Sequence, residues 1–388
     1  MMKKRLTVLT TVALTTVALM ASQAYAANTS MRNASDINTD TEQSQSTKNT
    51  ASTISPEQVQ QWVYTAQDKR QSEQTRANAL RQLAPYPSQN SLVAVVRGLQ
   101  DDSATVREAA VIAAEPYQFA NRWRMLAPLL TDPSQQVRVT ATTNLIRDFG
   151  NMSPAQQGTI ETAYQELVVF LSAQANVSST AFDTVPEMPS DIVRGADSVN
   201  PDSLNLKSAL LLADVYRWHQ EWDKAQVLYD SLITAEPSNA QVWLSLSDNL
   251  RAQGKDKQAL EALDKAIERQ PKEANLYYSK SLTLVRLEQK IKAADAIEIA
   301  AKMAETNSYF WYLNGVLQES VNIDKSVNSF EQAYLISGAP EQLYAVCDIY
   351  VRTKNDKTEA CLDELGKIAP DYVIAELKTK AKGQVDSD

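Results

Sequence analysis

A nucleophile paired with a general base needs a histidine or a side chain of tuned pKa, and this chain holds one histidine, His219. It lies in Tyr216-Arg217-Trp218-His219-Gln220-Glu221-Trp222, at a turn between two helical patterns, so a solvated turn residue is expected there. No Gly-rich phosphate loop, metal-ligand cluster or G-x-S-x-G elbow occurs in the sequence. Acidic pairs such as Asp101/Asp102 are accounted for by helix capping, which argues against paired-carboxylate hydrolysis. The inventory points to a non-enzyme with no cofactor and no metal. Cys347 and Cys361 are the remaining reactive groups, and their spacing is not that of a C-x-x-C redox pair.

The first residues set the expected compartment. Lys3, Lys4 and Arg5 precede an apolar run from Leu6 to Met20, and Ala24-Tyr25-Ala26 supplies a small-x-small cleavage site. That run falls short of the roughly 20 residues that cross a bilayer. Cleavage after Ala26, with no retained membrane segment, is therefore expected. The absence of a cysteine near that site argues against a lipid anchor. The style of the signal predicts a periplasmic protein, or alternatively a secreted one. Removing it takes the net charge from −9 to about −12. Such an acidic chain has no electrostatic footprint for nucleic acid. In an oxidising compartment Cys347 and Cys361 are expected to form a disulfide, worth roughly 3 kcal/mol on the chain-entropy model.

The elements that carry these residues read as helices throughout, a composition with only nine glycines and fourteen prolines. Residues 27–54 are polar and free of aromatic residues, and form a disordered leader. Helical order begins at Ser55-Pro56-Glu57-Gln58, a capping box with proline at the first helical position. Thr75-Arg76-x-x-Ala79, Val106-Arg107-x-x-Ala110 and Val137-Arg138-x-x-Ala141 then follow at intervals of 31 residues. Asp101 and Ser103 align with Asp132 and Ser134, the serines at N-cap positions. This spacing predicts a ladder of Asp–Arg contacts between stacked repeats rather than a ligand site at Arg76, Arg107 and Arg138. The pattern, with Leu126-Ala127-Pro128-Leu129-Leu130 as a helix with an internal proline, resembles HEAT repeats over residues 55–176. A helix from Ser153-Pro154 closes that block with Ile160, Tyr164, Leu167, Val168 and Leu171 on one face. Residues 177–204, holding Pro186, Pro189 and Pro201, form a linker.

A second period governs residues 205–382. In Ala240–Lys272 the order is Trp243-x-x-Leu246-Ser247-x-x-Leu250, a turn at Gly254, Ala259-x-x-x-Leu263-x-x-Ala266 and Pro271. Tyr216, Ala225, Tyr229 and Pro237 occupy the equivalent places 34 residues earlier. A third unit keeps Tyr277, Leu284, Ala293, Ile297 and Ala300, with Glu305 where proline stood. A fourth keeps Trp311 and Gly315 and loses one residue before Phe330 and Ala333; a fifth runs through Tyr350, Leu362 and Pro370. This helix–turn–helix order resembles the tetratricopeptide (TPR) repeat. The fold class expected is all-α: an α-solenoid of HEAT-like repeats followed by a TPR superhelix of about five hairpins. Asp371 to Lys382 is expected to be a closing helix.

Residues 75–370, with Asn121-Arg122-Trp123-Arg124-Met125-Leu126, also resemble the non-haem C-terminal half of bacterial exported multihaem cytochrome/TPR proteins. No C-x-x-C-H occurs, so haem attachment does not carry over. The TPR resemblance implies a groove lined by the first helix of each hairpin: Lys207, Leu210, Asp214, Arg217 and Trp218, then Gln241, Leu244, Asp248 and Arg251. Asn275, Tyr278, Leu282 and Arg286 follow, with Tyr309, Tyr312 and Glu319 after them. Arginines and tyrosines there suit an extended peptide bearing a carboxylate. The implied function is a periplasmic, non-catalytic scaffold or adaptor for a protein or peptide. The alternative is an accessory subunit or assembly factor of a periplasmic redox or c-type cytochrome complex, without haem of its own.

Overall fold

The computed structural model describes residues 54–177 and 205–383. The expected signal peptide, leader and linker lie outside the described residues, save Ile54 and Val177 at their edges. Every regular element described is helical: eighteen α-helices and two short 3₁₀ turns. The chain divides into two compact units. The first comprises the described part of residues 1–173 together with Trp218–Gln220, and the second the described parts of residues 174–217 and 221–388.

In the first unit α1 (Pro56–Gln67), α2 (Glu73–Leu83), α3 (Gln89–Gly98) and α4 (Ala104–Ala113) are followed by α5 (Phe119–Leu126), α6 (Gln135–Ile146) and α7 (Pro154–Ala175). Serines start several of them: Ser55, Ser72 and Ser88 each accept from a backbone N–H three residues on. Helices α2, α4 and α6 pack in series. Buried alanines such as Ala77, Ala109, Ala110 and Ala141 permit the close approach. Pro128 ends α5, because it has no N–H to give, and residues Ala127–Thr131 form a 3₁₀ turn. The expected helix through the proline is thus broken just before it.

The arginines of the 31-residue period form a ladder. Arg76 is bound to Asp101 through both terminal guanidinium nitrogens, Nη2 at 3.2 Å. Arg107 grips Asp132 at 2.8 and 2.9 Å, and Arg138 grips Glu166 at 2.7 and 2.6 Å. Arg107 and Arg138 also donate to the backbone carbonyls of Asp101 and Asp132, at 2.8 and 2.6 Å. Each of these two therefore ties the turn before its own helix to the next element. Ser103 and Ser134 stand at N-cap positions, yet neither hydroxyl caps its helix. Asp101 and Asp132 accept from their backbone N–H groups instead, at 3.0 and 2.8 Å. A carboxylate already oriented by arginine is the stronger acceptor.

The second unit begins with α8 (Leu206–Trp218) and α9 (Trp222–Ala235), then α10 (Ala240–Ala252) and α11 (Asp256–Arg269). There follow α12 (Ala274–Arg286) with α13 (Lys290–Met303), and α14 (Ser308–Gln318) with α15 (Ile323–Ser337). Last come α16 (Pro340–Arg352), α17 (Thr358–Leu365) and the closing α18 (Asp371–Gly383). These are TPR-like hairpins, and three devices repeat in them. Gln220, Gly254, Glu288 and Lys354 take a left-handed backbone between the helices of a hairpin. The next residue's N–H then bonds back to Tyr216, Leu250, Leu284 and Tyr350 carbonyls at 2.8 to 2.9 Å. An aromatic residue four places into the first helix donates to the turn before it: Trp243 to Pro237, Tyr277 to Pro271 and Trp311 to Glu305. Glu305 serves as well as proline because only its carbonyl is used. Small residues at the helix crossing, Ser247, Ser281, Gly315 and Cys347, are buried.

Cys347 on α16 is bonded to Cys361 on α17, with Cα atoms 5.5 Å apart, inside a cluster with Phe330, Leu362, Leu365 and Leu377. Leu377 brings α18 onto that core.

Candidate interaction face

The fifth, ninth and twelfth residues of a helix lie four and three places apart, and so share one face. In the first helices of the hairpins the fifth places hold Leu210, Leu244, Tyr278, Tyr312 and Tyr344. The ninth hold Asp214, Asp248, Leu282, Val316 and Asp348, and the twelfth begin with Arg217 and Arg251. The other side of these helices is core: Val242, Trp243, Leu246 and Leu250 are all buried in α10. The face therefore passes from apolar and Asp–Arg character at α8 and α10 to tyrosine at α12, α14 and α16.

The arginines of this face are matched by carboxylates of the chain, two of them within their own helices. Arg217 donates to Asp214 at 3.1 Å, and the Tyr229 hydroxyl donates to the same carboxylate oxygen at 2.8 Å. Burial, with the charge of Asp214 behind it, pushes the Tyr229 phenol well above its ordinary value. Arg251 binds Asp248, and its other terminal nitrogen donates to the Ser279 carbonyl at 3.4 Å. Arg286 binds Asp256 at 2.6 Å and reaches the Arg251 carbonyl at 3.2 Å. Arg217 and Arg251, expected to face a carboxylate, each already hold one from the chain itself. The Asp-x-x-Arg spacing in both helices is the signal that discloses the pairing, since side chains three places apart meet.

The tyrosines gather more closely. Tyr278 is buried and stacks on Phe310 with ring centres 5.0 Å apart, with Tyr309 at 6.1 Å edge-on. Burial raises the pKa of Tyr278, Tyr309 and Tyr312, so each phenol stays neutral and able to donate. Tyr344, which the sequence did not single out, extends the series one hairpin further.

Trp218 and His219 do not join this face. Both belong to the first unit, where the Arg147 guanidinium lies 5.2 Å from the centre of the Trp218 ring. His219 stacks on Tyr164 at 3.7 Å, and its Nε2 lies 3.2 Å from Glu161. It is enclosed rather than solvated, because an imidazole offers two flat faces to aromatic neighbours. Among the described residues there is no group of three or more His, Cys, Asp or Glu that could hold a metal ion. No described helix is long and apolar enough to cross a membrane.

No protein-family model matches the chain, and no curated protein does. Solved structures with similar folds include MamA, at 20% identity over 45% of this chain and 96% of that one, with a TM-score of 0.34. YrrB, described as a TPR protein with an unusual peptide-binding site, matches at 21% identity over 45% of this chain and 92% of its own, with a TM-score of 0.37. TTC0263, a thermophilic TPR protein of Thermus thermophilus, matches at 18% identity over 46% of this chain and 98% of its own, with a TM-score of 0.31.

Proposed function

We propose that this chain is a non-catalytic, exported adaptor that holds a segment of a partner protein on the first-helix face of its second unit. The observation that carries the reading is the recurrence of one face, with tyrosines and matched Asp–Arg pairs, from α8 to α16. Ion pairs that are satisfied internally keep the face rigid, and half-buried phenols such as Tyr309 and Tyr312 supply apolar area with a polar tip. The first unit acts as a HEAT-like strut whose arginine ladder fixes its own curvature. Periplasmic residence is supported by the basic, apolar and Ala-x-Ala order of residues 3–26, and by the Cys347–Cys361 bond.

Photo-crosslinking in cells tests this. A crosslinking amino acid at Gln241 or Tyr309 should capture a protein partner, whereas one at Lys265, exposed on the second helix α11, should not. Equal capture from both surfaces would place the interaction elsewhere. Captured cytochrome-assembly proteins would select the redox-complex form of the same adaptor role.

A further inference from the structure

At α16 the first-helix face is covered from within the chain. Its fifth and ninth places, Tyr344 and Asp348, are both held by Lys380 of the closing helix α18. The ammonium donates to the Tyr344 hydroxyl at 3.1 Å and to Asp348 Oδ1 at 3.2 Å, and lies 5.7 Å from the centre of the Tyr344 ring. Glu376, one turn earlier on α18, adds a second carboxylate at 3.2 Å. Burial works against that charge, but the Tyr344 hydroxyl and the two carboxylates hold the ammonium above the ordinary lysine range.

Asp348 is closed differently from the ninth-place aspartates of α8 and α10. Asp214 and Asp248 are bound by arginines three places on in their own helices. The third place after Asp348 is Val351, and Arg352, one place further, takes Oδ2 at 2.8 Å while reaching Glu319 at 2.8 Å. Oδ1 is thus satisfied from outside the hairpin, by Lys380. The closing helix itself is anchored elsewhere, through the buried Leu377 with Val373 and Ile374 on the same core. The Lys380 side chain is 43% exposed and that of Glu376 57%, so the ammonium can swing away while the helix stays docked. Ion pairs as exposed as these are weak, and an incoming cation can replace this one.

We propose that Lys380 is an autoinhibitory contact: it fills the end of the first-helix face, in the place that a lysine or arginine of the docked segment takes when it displaces it. The inference rests on that face being the docking surface. A cation held by a phenol ring and a carboxylate gains from the ring quadrupole and from Coulomb attraction, whichever chain supplies it. An anionic side chain brought to the same place would meet Asp348 and Glu376 instead. The acidic balance of the whole chain steers a basic segment toward it.

The test uses the full mature chain and blocked peptides in which alanine alternates with lysine or with glutamate, read by fluorescence anisotropy at low salt. Lys380→Met keeps the aliphatic stem and frees Tyr344 and Asp348, and should tighten binding of the lysine peptide by about tenfold. Lys378→Met removes the same charge from an exposed position on the same helix and should leave that affinity within about twofold. Adding Asp348→Asn to Lys380→Met should abolish the gain. Equal tightening in Lys378→Met and Lys380→Met would overturn the proposal, as would an unchanged affinity in Lys380→Met or an equal gain for the glutamate peptide. If Gln241 and Tyr309 capture a partner in cells but Lys380→Met changes nothing, the docking face stands and the autoinhibitory contact falls.

Discussion

At Gly315 one hydrogen atom decides how closely α14 and α15 approach. A methyl group there would stand 2.7 to 2.8 Å from three atoms of the Phe330 ring, and Phe330 is itself buried. Gly315→Ala should therefore destabilise the second unit by about 1–3 kcal/mol, measured by urea unfolding. Gly254 is different: open space surrounds it, and its backbone φ of +73° is the constraint. Gly254→Ala should cost about 1 kcal/mol, and Glu288→Gly, at the same turn position one repeat later, should raise stability by a similar amount. Thermal melts of the two variants moving in the same direction would contradict this account. The turn at Gly254 was legible because glycine announces it. Gln220 and Glu288 announce nothing by themselves, and only the 34-residue interval shows that they share its conformation.

At the scale of elements, the arginine ladder and the disulfide join helices by means other than apolar packing. Burial opposes ionisation of Asp101, yet hydrogen bonds from Arg76, Lys69 and the Ser103 N–H outweigh it and hold the carboxyl well below the usual range. Asp132 shows the same balance, and Arg138 draws Glu166 down as well. Carboxyls depressed in the folded state contribute stability above their unfolded values, near pH 4, and lose it as pH falls through the folded ones. Melting temperature should thus drop on acidification below about pH 4, with a shallower slope in Asp132→Asn, as calorimetry would register. Asp101→Ala removes the carboxylate that the buried Arg76 binds and should cost roughly 3 kcal/mol or more. Arg76→Ala is milder, because Lys69 still pairs with Asp101. Replacing Cys347 and Cys361 by serine should remove about 3 kcal/mol from the last hairpin, with earlier hydrogen exchange in α17 and α18. α17 has only eight residues, too few to hold a helix without the core it packs on.

For the whole molecule, the expected mature protein begins at Ala27 and is recovered from the periplasm, which N-terminal sequencing of a fractionated extract checks directly. A cytoplasmic, full-length product would remove both the compartment and the environment in which the Cys347–Cys361 bond persists. By itself the sequence determined the helical class, the intervals of 31 and 34 residues, the cysteine pairing and the likeness of five hairpins. Such features rest on local spacing, since a repeat must present the same apolar and small residues each time it meets its neighbour. The tertiary structure decided which partner each of several polar side chains takes. It paired Arg217 and Arg251 with Asp214 and Asp248, set Asp101 and Asp132 rather than the Ser103 and Ser134 hydroxyls as acceptors at two helix starts, and stacked His219 against Tyr164. A charged side chain is long and can reach several partners, and which one it takes depends on distances set by helices far apart in the chain.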